Sequence, residues 1–365
     1  METLEEQIVL KPQVKISNTE RESGIELLRI IAIIFIVLYH SVALPVMTDS
    51  YYESVLRTLA YQNGKLGVNI FIIISAYFMI DKHITIKHIL KIYLPALFYS
   101  LLFYFFSVQK GLIAFDFKQF VTFLFPIYFC KWWYVSCYLI LMLLTPILNM
   151  FIKSLTKKKH LIICLSLIFF ETILAYFKQI LTGEFFGIPY FNELFIFIIL
   201  YFIGSYIKLH SVDLNSFLLI IISLLLFVIF KIFLPLFGLQ DEALYMNSVG
   251  NMILSISLFL IFKKIKFKSK FINTISSTTY GIYLIHFHDI FRWFIWTYAY
   301  KIAIKYFSHY ALVYIFSVVI VLGFCFAIDL LRQLTIHKFA LKLIDKILNK
   351  VKNKKSDLKN FIKET

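Results

Sequence analysis

Long apolar runs recur along this chain from end to end, and they restrict its fold more than any other feature of the sequence. A hydrocarbon core of about 30 Å takes about 20 apolar residues to cross as a helix. Ten windows come close to that requirement, at 25–46, 65–81, 89–108, 132–152, 160–177, 193–208, 215–236, 247–262, 277–298 and 310–331. Inside lipid a backbone must satisfy its own hydrogen bonds, so each window is expected to be a helix. The expected fold is therefore all-α, an integral membrane helical bundle of about ten transmembrane helices. A further stretch, 111–130, is almost as apolar but is interrupted by Asp116, Lys118 and Pro126, and reads as an interfacial or partly re-entrant segment. Composition agrees, because 60% of the residues are hydrophobic, against about 45–50% in an ordinary soluble domain.

Charge gives the bundle a direction, since Lys and Arg gather on the cytoplasmic side of short loops. Starting from inside, ten spans leave Lys157–Lys159, the lysines of 263–270 and the Lys-rich tail beyond Arg332 on the inner face. An eleventh span would throw that tail outside. Both termini are thus expected in the cytoplasm. Residues 1–24 then form a polar tail, 25–331 the membrane domain and 332–365 a basic amphipathic tail lying on anionic lipid. The first 24 residues lack the apolar core and cleavage site of a secretion signal, so the first span is expected to be retained. The net charge of +16 follows the inner loops, so membrane lipids are its expected partner and nucleic acid is not. Cys130, Cys137, Cys164 and Cys325 have neither a disulfide nor a metal-binding spacing, and no metal is expected.

Ionisable groups are rare within the windows, which makes "RIIAIIFIVLYHS" (29–41) informative. Arg29 and His40 are eleven positions apart, about three helical turns, so one face carries both with about 16 Å between them along the axis. An inside-first orientation puts Arg29 near the cytoplasmic end and His40 in the outer half. Each has a plain alternative: Arg29 snorkelling to headgroups or pairing with Glu26, and His40 packing as a hydrogen-bonded histidine. The shared face favours one common pathway over two separate accidents.

"GIELLRIIAIIFIVLYHS" resembles the first membrane helix of the acyltransferase family 3 proteins, multispanning bacterial enzymes that transfer acyl groups, often acetyl, to carbohydrates and other surface acceptors. "GKLGVNIFIIISAYFMI" (64–80), "WWYVSCYLILMLLTPILN" (132–149) and "STTYGIYLIHFH" (277–288) are similar to later family segments, in the right order. The chain departs from the family pattern where Ser-Gly is replaced by Ser75-Ala76. It departs again where Arg-x-x-Arg before a proline is replaced by His88-x-x-Lys91 before Pro95.

The resemblance implies a membrane O-acyltransferase using acetyl-CoA, or another acyl-CoA, as co-substrate, with no bound cofactor. The acceptor it implies is a surface glycan or lipid-linked saccharide, with glycan-assembly partners nearby, and the location is the plasma or inner membrane. His40 is then the catalytic base or acyl carrier, since an imidazole ordinarily titrates near about 6.5, and Arg29 steadies the donor side. His286 is expected about ten residues into a continuous ninth helix, at the depth of His40. Asn69 and Ser75 lie at compatible depths in the second helix. Trp132, Trp133 and Tyr134 read either as an outer aromatic belt or as a sugar-stacking face. Lys87 and Lys91 read either as charge bias or as ligands for donor phosphates. Arg292 is unusual for the outer side, where it faces acceptor or lipid phosphate. Two rivals stay open: a transporter or flippase of lipid-linked saccharides, which the lack of an internal repeat disfavours, and a non-catalytic scaffold of glycan assembly.

Overall fold

The computed structural model describes residues 22–41, 51–182, 192–236, 248–337 and 345–346. Among them every regular element is helical. In chain order they are α1 (Ser23–Ser41), α2 (Tyr51–Met79), α3 (Ile86–Gln109), α4 (Phe117–Leu124), α5 (Trp133–Lys153), α6 (Lys157–Thr182) and α7 (Asn192–Leu209), followed by α8 (Ser216–Leu236), α9 (Val249–Lys264), α10 (Lys270–Ser277), α11 (Thr279–His286), α12 (Phe291–Tyr306) and α13 (Tyr310–Arg332). Among the described residues, four stretches are long and apolar enough to cross a membrane: Ser23–Ser41, Ile86–Gln109, Trp133–Lys153 and Ala311–Ile336. Gly64–Met79 and Ser216–Ile229 are shorter apolar helices.

The core is built around α2. Asn69, Ile70, Ile72, Ile73, Ile74 and Ala76 are all buried, so this part of the helix is covered on nearly every side, as its all-round apolar sequence requires. α1, α7 and α9 pack against it. Small residues bring α1 and α2 together: a Cβ on Gly67 would overlap the Ala32 carbonyl oxygen, and one on Gly64 would overlap the Tyr39 side chain. Further out the pattern inverts. Leu143, Ile147 and Met150 of α5, Phe169 and Phe170 of α6, Leu224 and Leu225 of α8, and Ile315 and Val319 of α13 are all exposed. Apolar faces turned outward from a packed core suit contact with lipid tails. The molecule is a membrane protein, all-helical among its described residues.

Two local features position the site. The start of α1 is tied to the connection between α9 and α10, where the Ser23 amide donates to the Phe267 carbonyl (3.0 Å), and to α10 itself, where the Ser23 hydroxyl donates to Asn273 Oδ1 (2.9 Å). Its other end is held by the Ser41 hydroxyl, 2.7 Å from the Tyr314 hydroxyl on α13. Helix α1 is thereby fixed at both ends.

The expected continuous helix over 277–298 is broken. α11 ends at His286, and α12 begins at Phe291. His288 accounts for the break, because its Nδ1 accepts from the backbone amides of Ile290 and Phe291 (both 3.3 Å). Those are the orphan donors of a new helix start, and a side chain that satisfies them competes with continuation of the old helix. His286 is thus the last residue of a short helix and not the middle of a long one. Within 111–130 only the eight-residue α4 forms, N-capped by Asp116, whose carboxylate accepts from the Gln119 amide (2.8 Å). Phe115, Phe117, Phe125 and Tyr128 are exposed along this stretch, and α4 is far too short to cross a bilayer. Most of the C-terminal tail and residues 1–21 lie outside the described residues; α13 continues as a π-helical turn over Gln333–His337.

Candidate functional site

The face of α1 that carries Arg29 also carries Ile33, Ile36 and His40, at helical spacings of four, three and four. The first three line a cavity of about 250 Å³. Its other walls come from Phe71 and Ser75 of α2, Ile92 of α3, Tyr134, Val135 and Tyr138 of α5, and the stretch from Ser276 to Tyr283. His40, one turn beyond Ile36, lies past this lining and meets α11.

There its Nδ1 stands 2.9 Å from His286 Nε2, and His286 Nδ1 stands 2.6 Å from the Ile282 carbonyl oxygen. A carbonyl only accepts, so His286 Nδ1 carries a proton and, in the neutral ring, Nε2 is bare. Nε2 can then only accept, which makes His40 Nδ1 the donor and leaves His40 Nε2 with a free lone pair. The fixed carbonyl of Ile282 therefore sets the tautomer of both rings. His286 is buried while His40 is partly open, so the lone pair is on the more accessible ring. Phe287 stacks on His40 with 3.9 Å between centroids, and Tyr39 meets it edge-on at 5.2 Å. The orientation of the base is thus held by a hydrogen bond and by two aromatic rings.

At the other end of the cavity, Arg29 Nη1 donates to both oxygens of Glu26, at 3.1 and 3.2 Å. The buried Glu26 carboxylate also accepts from the Ser276 hydroxyl. The pairing with Glu26 and the lining of the cavity are therefore compatible, and Arg29 does both. Glu26 holds the guanidinium through Nη1, which leaves its other donors outside this pair.

The remaining sequence candidates divide. Ser75 lines the cavity and accepts a hydrogen bond from the Tyr138 hydroxyl (3.3 Å). Asn69 is wholly buried within α2, away from the cavity lining. Trp132, the residue before α5, is 1% exposed and meets His288 edge-on, with ring centroids 5.6 Å apart, so it does not serve in a lipid-facing belt. Trp133 is half-buried against Phe197, and Tyr134 lines the cavity beside Tyr283. Lys87 is paired with Asp345 of the tail (2.6 Å), and Lys91 is exposed near the start of α3. Neither lysine lines the cavity. His88 is used locally, accepting at Nδ1 from the Thr85 amide (3.1 Å) to cap α3.

Sequence reasoning missed Tyr138, Tyr280 and Tyr283 as cavity walls. A signal existed for two of them: Tyr134 and Tyr138 share a helix face at i,i+4 and stack at 5.8 Å, and Tyr283 lies one turn before His286. It also missed the role of Glu26 as a bridge to Ser276, which no local pattern announces.

A family model described as an acyltransferase domain, of the acyltransferase 3 type, matches residues 22–330. No curated protein and no solved structure matches the chain.

Proposed function

The chain belongs to the acyltransferase 3 family, and from that premise we propose that it is a multi-pass O-acyltransferase of the plasma membrane. In this reading it moves an acetyl group from cytosolic acetyl-CoA to a hydroxyl of a surface or lipid-linked glycan. Ten spans with both termini in the cytoplasm put Arg29 on the donor side and His40 toward the acceptor. The observation that carries the reading is the His40–His286 couple, which leaves a bare imidazole nitrogen at the end of the stripe that begins at Arg29.

The chemistry follows from that nitrogen. His40 Nε2 takes the proton of the acceptor hydroxyl as its oxygen attacks the thioester carbonyl. The new C–O bond forms, the C–S bond breaks, and the imidazolium returns its proton to the departing thiolate. Atoms and charges balance without a cofactor. A two-step route would use the same nitrogen as acyl carrier. The cavity between Arg29 and Tyr283 accommodates the pantetheine arm, with Arg29 beside an anionic or polar part of the donor. Lys91, and Lys87 when released from Asp345, meet the nucleotide phosphates as point charges. Tyr134 and Trp133 border the acceptor.

NMR of the surface polysaccharides from cells with and without the gene tests this reading. O-acetyl signals should vanish from one glycan in the deletion strain and return with the wild-type gene, but not with His40→Ala. Unchanged signals across every surface glycan would overturn it. A flippase would instead move lipid-linked saccharide across vesicles with no consumption of acetyl-CoA.

A further inference from the structure

Cations are the residues this molecule can least leave unpaired, since burying a charge away from water is expensive. Most of the described cations that are not fully exposed have an acid within 4 Å. Arg29 has Glu26, Lys87 has Asp345, Lys131 has Asp289, Lys208 has Asp81 and Arg332 has Asp329. Three have none among the described residues: Lys263, Lys65 and Arg292. Lys263 lies in the last turn of α9, where the helix carbonyl end favours a cation. Lys65 has the Glu193 carboxylate within electrostatic reach, though not within 4 Å; Arg292 has no such explanation, and both cations act electrostatically on His40.

The aromatic rings that hold His40 also hold the two cations. Lys65 Nζ lies over the Tyr39 ring at 5.8 Å and over Trp133 at 5.3 Å. The Arg292 guanidinium carbon is 5.5 Å from the centroid of Phe287, the ring that stacks on His40, and 5.2 Å from that of Trp293. Both charges lie within electrostatic reach of the imidazole. Arg292 is the second residue of α12, at the end where helix amides point outward and a further positive charge is unfavourable. Its Nε is buried and has no hydrogen-bond partner among the described residues. Two cations beside His40, one with only a more distant carboxylate and the other with no acid within 4 Å among the described residues, and a helix N-terminus all favour an anion supplied from outside the chain.

We propose that Lys65 and Arg292 bind a phosphate of the acceptor, so that the glycan acylated at His40 is phosphate-bearing. The proposal deepens the acyltransferase reading and rests on it for the word acceptor, although the anion site can be tested alone. The phosphate belongs either to a lipid-linked saccharide or to a phosphodiester within the polymer. Both place an anion a short distance from a sugar hydroxyl, and the guanidinium fork suits either.

The test uses the full-length protein purified in a neutral maltoside detergent, with inorganic phosphate as the probe and sodium chloride at matched ionic strength as the control. Wild type and His40→Ala should both show a saturable, phosphate-specific rise in Tm. Lys65→Gln and Arg292→Gln should weaken the apparent affinity at least tenfold, with Arg292→Lys intermediate and serving as the check that the fold survives. The sources separate in two further arms: methyl phosphate in solution, and polyprenyl phosphate in phosphatidylcholine nanodiscs, the more effective probe naming the source. An identical phosphate response in all variants, or none beyond the chloride control in wild type, would overturn the proposal. If wild type transfers no acetyl group yet binds phosphate through Lys65 and Arg292, the acyltransferase reading falls and the anion site stands. If transfer persists while phosphate binding ignores both residues, the site falls and the reading stands.

Discussion

Two histidine pairs stand among the described residues, and they are built alike. His40 meets His286 at 2.9 Å, and His160 meets His210 at 3.2 Å. In each pair one ring is anchored to a backbone carbonyl, His286 to Ile282 and His160 to Phe202. The same proton logic therefore leaves a bare nitrogen on the outer ring of both. Their surroundings differ. His40 ends a stripe that lines a cavity and is flanked by two cations with no acid within 4 Å among the described residues. His210 sits in the turn after α7, beside the Lys157 end of α6, and does not line that cavity. An anchored histidine pair makes a base, and the cavity and cations around one of them make a candidate site.

The largest expected effect separates the pairs outright. His40→Ala should lower acyl transfer by about 10³-fold, within the usual range for losing a positioned acid–base group, whereas His160→Ala with His210→Ala should leave it within about threefold. Turnover of labelled acetyl-CoA into ester measures both, and equal losses would erase the distinction. Next comes His286→Ala, which keeps the base but frees its ring. A misplaced reacting group costs about 10²-fold, expected in kcat more than in KM. Arg29→Ala removes a charge-assisted contact, so KM for the acyl-CoA should rise about tenfold with a smaller change in kcat. A kcat effect with unchanged KM would move Arg29 from donor binding to the reacting centre.

The sequence disclosed the two ends of the site but little of what joins them. Arg29 and His40 were legible because charges are rare in an apolar run and helical spacing is rigid. The break after His286 was hidden, since Phe287, Ile290 and Phe291 continue the apolar pattern and only the cap made by His288 interrupts the helix. The place of Lys65 over the rings of Tyr39 and Trp133 is a property of the packed molecule that no local pattern announces. The substitution of Ala76 for the family's glycine has a structural counterpart as well. Gly204 of α7 faces it, and a Cβ there would come within 2.6 Å of Ala76 Cβ, so the close approach of α2 and α7 is kept by the partner helix.

Smaller effects sharpen the comparison further. Gly67→Ala would drive a methyl group into the Ala32 carbonyl and spread α1 from α2, whereas at Gly250 the nearest atom is 3.5 Å away. Overpacking of this kind costs about 1–3 kcal/mol. A lower Tm is thus expected for Gly67→Ala and an unchanged one for Gly250→Ala. The smallest effect belongs to the second pair. Burial, and then Lys157, lower the affinity of His210 for a proton, so the folded chain takes up that proton at lower pH than the unfolded chain. Its contribution to stability is complete above about pH 6.5 and is lost as the pH falls through and below that value. His210→Gln should flatten the Tm profile between about pH 7 and 5 by a degree or two. A steeper profile in the variant would reverse the assignment.

The central claim is that His40, held by His286, is the base of an acyl transfer. It is tested most directly by reconstituting the protein in vesicles with labelled acetyl-CoA and a cell-surface glycan extract, and measuring ester formation by wild type, His40→Ala and the His160→Ala/His210→Ala double variant. Labelled glycan ester is expected from wild type and the double variant and none above background from His40→Ala. Ester formation by His40→Ala at the wild-type rate would contradict it.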